Sequence, residues 1–390
     1  MKELSDVYII GVGETKFGEL WEKSLRELAV EAGLRAVENA GIYSRDIQAL
    51  YGSNSLAGLI NGQENIGALI SDFSGVAENN IPAIRIENST ASGGAAVREA
   101  YLSIRSGEYD LVMVGGVEKM TDIFGSELLD LTGSILDREW ETFFGATPAA
   151  MAAIVARKYM ADFKVEKDAL AMIAVNDHAN ASKNPDAQYR NKITLEQASG
   201  STMIADPLNL MDCSPISDGA AAIILASEKY VRKNSIEGVK ILGSAQAQDY
   251  LAVHSRKSIY TLDSAKLASR KALEHAKKKV DDISLVELHD SYSIYGLLEL
   301  EDLGFCQKGK AKDLVFDHIG LSGSVPVNPS GGLKAKGNPF GAVGVGQFVE
   351  AYLQLKGKCG DRQVKGASTA MVHNMAGTGA NSVVHILGVE

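Results

Sequence analysis

The sequence predicts an α/β fold made of two similar halves around mostly parallel or mixed, buried sheets. Three observations carry that expectation. Short apolar runs of strand length alternate with longer amphipathic stretches along the 390 residues. The alternation restarts near residue 236. In each half, a polar cluster follows directly on a strand.

Taken in order, Val7–Val12 reads as a buried strand, followed by an amphipathic helix over Leu25–Ala40. Leu25, Leu28, Ala29, Ala32 and Ala36 recur at helical spacing and mark its inward face. Ile81–Ile86 is a strand, Ala95–Ile104 a helix, and Leu111–Val114 a strand ending at Gly115–Gly116. Ala220–Leu225 is a further buried strand. The second half offers strand Val239–Leu242, helix Ser264–Ala276, strand Leu285–Leu288 and helix Gly344–Leu355. It closes with strands Thr369–Val372 and Val383–Leu387. Between Lys119 and Pro215 strand signals weaken, which suggests an excursion covering a site. Gly11-Val12-Gly13, with Gly18, does not match GxGxxG and reads as a turn after the first strand.

Composition narrows the function. The chain has 39 Lys+Arg against 49 Asp+Glu, a net charge of −10 without a basic block. That argues against nucleic-acid binding. Three cysteines cannot form a disulfide framework, so a reducing, cytoplasmic setting is expected. No apolar run reaches the ~18 residues of a membrane helix, and the N-terminal run is too short for a secretion signal. The seven histidines show no metal-ligand spacing. Cys359, in Lys356-Gly357-Lys358-Cys359-Gly360, reads as part of a surface turn.

Four clusters have residue types suited to chemistry. Glu87-Asn88-Ser89-Thr90-Ala91-Ser92-Gly93-Gly94 joins a strand to a helix. Free N–H groups and the positive helix end at such a junction favour an anion or a nucleophile, although simple helix capping explains it too. His289-Asp290-Ser291-Tyr292 follows a strand, where ligands of α/β folds bind, or is a loop histidine satisfied by Asp290. Asn328-Pro329-Ser330-Gly331-Gly332-Leu333 and Lys334–Gly341 form a glycine-dense loop with exposed backbone amides, suited to lining a ligand. Gly344 and Gly346 beyond it permit close backbone approach. His373-Asn374-Met375-Ala376-Gly377-Thr378-Gly379 lies between the last two strands, as a hairpin loop or a site.

In this order the four clusters resemble the thiolase superfamily, in its archaeal acetoacetyl-CoA and sterol-carrier-type branches. Gly115–Asp122, Phe143–Thr147, Met211–Pro215, Ser217–Ala221 and Gly331–Ala335 extend the likeness over essentially the whole chain. The resemblance implies duplicated βαβαβαββ halves in a five-layer α/β/α/β/α core. The halves would span 1–235, with a covering loop domain at about 119–215, and 236–390. It implies a homodimer or dimer of dimers, and acyl-CoA as substrate or ligand with no separate cofactor. Archaeal relatives assemble with HMG-CoA synthase and a small zinc-ribbon/OB-fold protein, so those partners are implied as well.

By the same resemblance, Thr90 stands where the family has its nucleophilic cysteine, and Asn338 where a histidine activates it. Ser291 stands at the HDCF cysteine and His373 at the C-terminal-loop cysteine, while His289 keeps the residue expected. Tyr292, Asn328, Ser330, Gly331, Gly332 and Gly377 complete the implied binding site. A threonine hydroxyl is far more basic than a thiol, and an amide cannot take its proton. An acyl-enzyme is therefore not expected at a useful rate. Three readings remain: an acetyl-CoA acetyltransferase-like activity in altered form, acyl-CoA chemistry without an acyl-enzyme such as retro-aldol cleavage, and a non-catalytic acyl-CoA-binding or scaffolding subunit.

Overall fold

A computed structural model describes residues 4–389. The first half runs β1 (Val7–Glu14), α1 (Leu25–Ala40), β2 (Ala49–Ser53), α2 (Ile66–Phe73), β3 (Ala83–Ile86), α3 (Ser92–Arg105), β4 (Leu111–Glu118). The excursion then contributes α4 (Pro148–Phe163) and α5 (Lys167–Ala181) before β5 (Gly219–Ser227) closes the half. The second half runs β6 (Val239–Gln248), α6 (Asp263–Ala276), β7 (Leu285–Glu287), α7 (Ser293–Asp302), α8 (Phe340–Leu355), β8 (Thr369–Ala376), β9 (Asn381–Gly388).

One nine-stranded sheet has the order β3-β2-β4-β5-β1-β6-β9-β8-β7. The duplication is visible in its pairings. β4 lies antiparallel to β5 and parallel to β2, as β8 lies antiparallel to β9 and parallel to β7. Where the first half has β3 beside β2, the second has a single parallel bridge from Val327 to Val286. The two half-sheets meet at Tyr8–Lys240 and Ile9–Val239.

Helices complete five layers. α1 covers the outer face of β1, β4 and β5, and α6 that of β6 and β9. α3 and α8 lie between the two half-sheets, where residues of both halves share one apolar core. α1 begins on a capping box, Ser24 with Glu27, and ends at Gly41 in the left-handed conformation. Its buried residues are the five that the periodicity selects.

Several expectations need correction. Gly11 and Gly13 are not a turn: both lie inside β1, where α1 packs so closely that a Cβ on Gly11 would be 2.4 Å from the Ala40 Cβ. Gly115–Gly116 does not end β4, which continues to Glu118. His373 is in strand β8, not in a hairpin loop. The Gly331–Lys336 segment is not an open loop. Residues 332–336 form a buried π-helical turn, because their polar atoms find partners inside the protein. Cys359 is buried, with its thiol 3.6 Å from Glu350 Oε1, since Arg362 and Glu350 draw that turn inward. The strand β2 carries no strong sequence signal beyond Ala49-Leu50-Tyr51, yet it forms the second strand of the sheet, between β3 and β4. Among the described residues no helix is long and apolar enough to cross a membrane.

A histidine with no hydrogen-bond partner among the described residues faces the central layer. His385 of β9 is fully buried, its ring packs edge-on against Phe348 at 4.9 Å, and neither ring nitrogen is hydrogen-bonded. Burial, aided by Arg98, holds its pKa down to about 3. An unfolded histidine titrates near ~6.5, so between these values the unfolded chain binds the extra proton and stability falls as pH falls. One such group contributes a slope of about 1.4 kcal/mol per pH unit. Urea unfolding at pH 7 and pH 5 is expected to show a smaller acid loss for His385→Leu than for the parent. Equal losses would reject this assignment.

Candidate active site

A cavity of about 330 Å³ opens where the excursion meets the core. Thr90, Ser291, Tyr292, Asn338 and Gly377 line it, so five of the residues singled out in the sequence converge there. Leu129, Ile135, Ile204 and Ile216 supply apolar wall, and no Asp, Glu, Lys or Arg is among the lining residues.

Thr90 sits on the sharp connection from β3 to α3. Ser89 before it has φ +52°, and Ser92 braces the turn by accepting the Asn88 N–H and donating to Ser89 O. The Thr90 hydroxyl donates to Met375 O at 2.7 Å and accepts the Gly377 N–H at 2.9 Å. Its proton is therefore held by a carbonyl, and no basic side chain is hydrogen-bonded to it. Asn338 gives its Nδ2 to Ser214 Oγ at 3.0 Å and its backbone N–H to Ser217 Oγ at 2.9 Å. Its Oδ1 is buried and has no hydrogen-bond partner among the described residues. In this arrangement Thr90 fastens the β3–α3 connection to the turn after β8.

His289 and His373 do not line the cavity; both are fully buried on the core side. Their hydrogen bonds give them opposite proton arrangements. His289 N–H donates to Glu299 Oε2 at 2.8 Å, so this oxygen is an acceptor, and it lies 2.7 Å from His373 Nδ1. His373 therefore carries its proton on Nδ1, which leaves a lone pair on Nε2. Asn374 Oδ1 accepts the Gly94 N–H at 2.8 Å, which turns its Nδ2 toward His289 Nδ1 at 2.9 Å. His289 Nδ1 thus accepts and Nε2 carries the proton. Neither Nε2 atom has a hydrogen-bond partner among the described residues. Burial, with His373 nearby, pushes the His289 pKa down to about 3, so it stays neutral. Burial raises the Glu299 carboxyl, and His373 opposes that rise.

Asn328, Ser330, Gly331 and Gly332 are not among the cavity-lining residues; they support the site from below. Asn328, at φ +48°, accepts the Leu288 N–H at 2.7 Å and donates to Asp177 at 3.2 Å. Ser330 binds Glu287 through both its N–H and its hydroxyl. Gly331 lies against Ala181 and Gly332 against Asp177, where a side chain would clash. Burial pushes the Glu287 carboxyl up to about 8, a rise that the Ser330 contacts moderate.

Sequence reasoning names the stretches that hold Ser214 and Asn374 without giving either residue a role, and it does not reach Tyr295 or Glu299. Tyr292, Tyr295 and Glu299 recur at helical spacing, and Glu299 interrupts the apolar run Ile294, Leu297, Leu298, Leu300. A carboxylate set among leucines in a buried helix is the available signal, one that Glu301 and Asp302 of the same helix share.

Comparison with known proteins follows the same outline. Residues 7–229 match the family description "Thiolase, N-terminal domain" and residues 245–389 "Thiolase C-terminal domain-like". The chain is 46% identical to an acetyl-CoA acetyltransferase of Methanothermobacter thermautotrophicus, over 98% of this chain and 99% of that one. It is 33% identical to sterol carrier protein 2 of Gallus gallus, over 96% of this chain and 70% of the relative. Among solved structures, an "Ltp2-ChsH2(DUF35) aldolase" superposes with a TM-score of 0.86 at 25% identity, covering 100% of this chain and 99% of that chain. An acetyl-CoA acetyltransferase from Syntrophomonas wolfei superposes at 0.78 with 18% identity, covering 100% of both chains, a likeness of fold. With both halves matched and the layered architecture reproduced, the chain belongs to the thiolase family.

Proposed function

We propose that this protein makes or breaks a carbon–carbon bond next to the thioester of an acyl-CoA, through an enolate and without an acyl-enzyme. The observation that carries this reading is the pair of buried imidazoles in opposite proton arrangements. One Nε2 can accept a proton and the other can donate a hydrogen bond, which is what enolate formation requires. Thr90, with its proton on the Met375 carbonyl and Asn338 unable to relay it, does not supply a nucleophile.

In the cleavage direction, His373 Nε2 takes the proton of a β-hydroxyl. The bond between the α and β carbons breaks, the β carbon becomes a carbonyl, and the electron pair forms the thioester enolate. The His289 Nε2–H group holds the enolate oxygen. The proton then returns from His373 to the α carbon, releasing a shorter acyl-CoA. For this the acyl chain must pass the Thr90–Gly377 contact and reach the imidazoles. Family membership supports an acyl-CoA as the ligand, and the likeness to an aldolase supports the reaction.

Acetyltransferase relatives at 46% identity favour a second reading, acyl transfer through Thr90. A scaffolding role beside HMG-CoA synthase and a zinc-ribbon/OB-fold protein is the third. Exchange of acetyl-CoA α-protons in D₂O, followed by NMR, separates them. Wild type and a folded Thr90→Ala are expected to exchange at similar rates, and His373→Ala about 100-fold or more slower. Loss in Thr90→Ala with retention in His373→Ala would favour acyl transfer. No exchange by wild type would leave the scaffold reading.

Glu299→Gln tests the proton arrangement itself. The amide oxygen can still accept the His289 N–H and the His373 Nδ1 proton, but without the carboxylate charge it holds that proton less firmly. The expected outcome is a fall in the exchange rate of about 10- to 100-fold, with acetyl-CoA affinity nearly unchanged. An unaltered rate would show that Glu299 does not orient His373.

A further inference from the structure

A buried pair of carboxyl groups lies beneath the site and takes no part in the chemistry proposed above. Asp177 of α5 is fully buried, and Asp290, next in the chain to His289, is 1% exposed. One oxygen of each is engaged. Asp177 Oδ1 accepts from Asn328 Nδ2 at 3.2 Å, and Asp290 Oδ1 accepts the Leu333 N–H at 2.9 Å. The other oxygen of each, Oδ2, receives no N–H or hydroxyl among the described residues. The two side chains stand within hydrogen-bonding reach of each other. The charged groups facing them are Glu287 of β7, Glu299 of α7 and Lys334 of the π-helical turn, which also faces Asp212. Two bare carboxylates in contact, away from water, are the least favourable state of such a pair. Burial, and after it the Asp290 charge, push the Asp177 carboxyl well above its ordinary range, and burial raises Asp290 as well.

We propose that one proton bridges Asp177 Oδ2 and Asp290 Oδ2, and that this shared proton clasps the excursion to the loop that carries His289. With the proton on Asp177, its Oδ2–H donates to Asp290 Oδ2, and every oxygen of the pair is satisfied. Asp290 keeps the negative charge, which the Leu333 N–H and Lys334 face. The clasp joins three segments: α5 through Asp177, the histidine loop through Asp290, and the π-helical turn through Leu333. Asn176 and Asn180 of α5 already donate to Val327 O, so α5 is seated on the neighbouring stretch and the pair adds the link to Asp290. Asp177 and Asp290 are positioning residues, acting through the adjacent His289. That role rests on the enolate reading; the shared proton does not.

The retained proton sets the sign of the pH dependence. Aspartate in an unfolded chain titrates at about 3.9, and the pair holds its proton to higher pH, so between these values the folded chain binds one proton more. The pair's contribution to stability is full below the unfolded value and is lost as pH rises, with the unfolding constant growing about tenfold per pH unit. In Asp177→Asn an amide N–H replaces the proton, and Asp290→Asn does the same from the other side. Urea unfolding at pH 5 and pH 6 is expected to show a rise about tenfold smaller in either single variant than in the parent. With both replaced, two N–H groups face each other without an acceptor. The double variant should therefore unfold about tenfold or more readily than the single effects together predict. Parent-like pH dependence in both single variants, additive effects in the double, or failure of both single variants to fold would each overturn the shared proton. Exchange of acetyl-CoA α-protons reads the positioning role. It is expected to be about tenfold or more slower in the double variant, with acetyl-CoA affinity nearly unchanged, and less affected in either single. Parent-like exchange in the double variant would reject that role. No exchange by the parent would reject the enolate reading and the positioning role with it, while the unfolding data still decide the shared proton.

Discussion

Where α3 and α8 cross between the two half-sheets, their backbones come close enough that a Cβ on Gly93 would lie 2.7 Å from Val345 N. A Cβ on Gly344 would lie 2.3 Å from Asn374 Oδ1. Glycine at both places lets Asn374 reach out of β8 to the start of α3. There the Gly94 N–H fixes which end of its amide faces His289. The acid–base division of the site follows from this contact. With the amide reversed, both atoms facing His289 and Gly94 would change from acceptor to donor or the reverse, and the first imidazole would have to exchange its proton to match. Glu299 performs the matching task for His373 from the opposite side. Chemical polarity here is set by a backbone N–H and a helix crossing as much as by the histidines themselves.

Burial makes those assignments durable. A neutral His289 and a carboxylate that accepts two hydrogen bonds lie in a region closed to water, where each contact is stronger than it would be in solvent. The same burial makes unpaired atoms conspicuous. Below the site, Asn328 donates to Asp177 Oδ1 and Ser330 binds Glu287, while Asp177 Oδ2 receives no N–H or hydroxyl hydrogen bond among the described residues. On the cavity wall, Asn338 and Tyr295 do not find such partners.

Much of the fold was legible because its elements have strong local periods. α1 was read to the residue, and most sheet strands were located from apolar runs, since a buried strand carries its own signature. β2 was missed because Gly52 and Ser53 interrupt a short run, and packing by α2 and α3 supplies what propensity does not. At the site, the clusters were found but their roles were only partly apparent. Thr90 and Asn338 could be weighed from side-chain chemistry alone. Whether Ser330 faces a ligand or Glu287, or whether His373 sits in a loop or a strand, depends on contacts across long sequence separations. Glu299 shows the difficulty most plainly, because its two partners lie on different elements.

The single bridge at Val327 has a further meaning. The two halves share a plan, yet only the first keeps a full strand at that place. β3 delivers Thr90 by a fixed route, strand to helix. In the other copy the chain is released from sheet register after one bridge and is free to bend beneath Leu288, around Glu287 and up to the cavity wall at Asn338. The pseudo-symmetry of the fold is broken at this point, and the break lets one repeat hold an elbow while its counterpart becomes floor and wall.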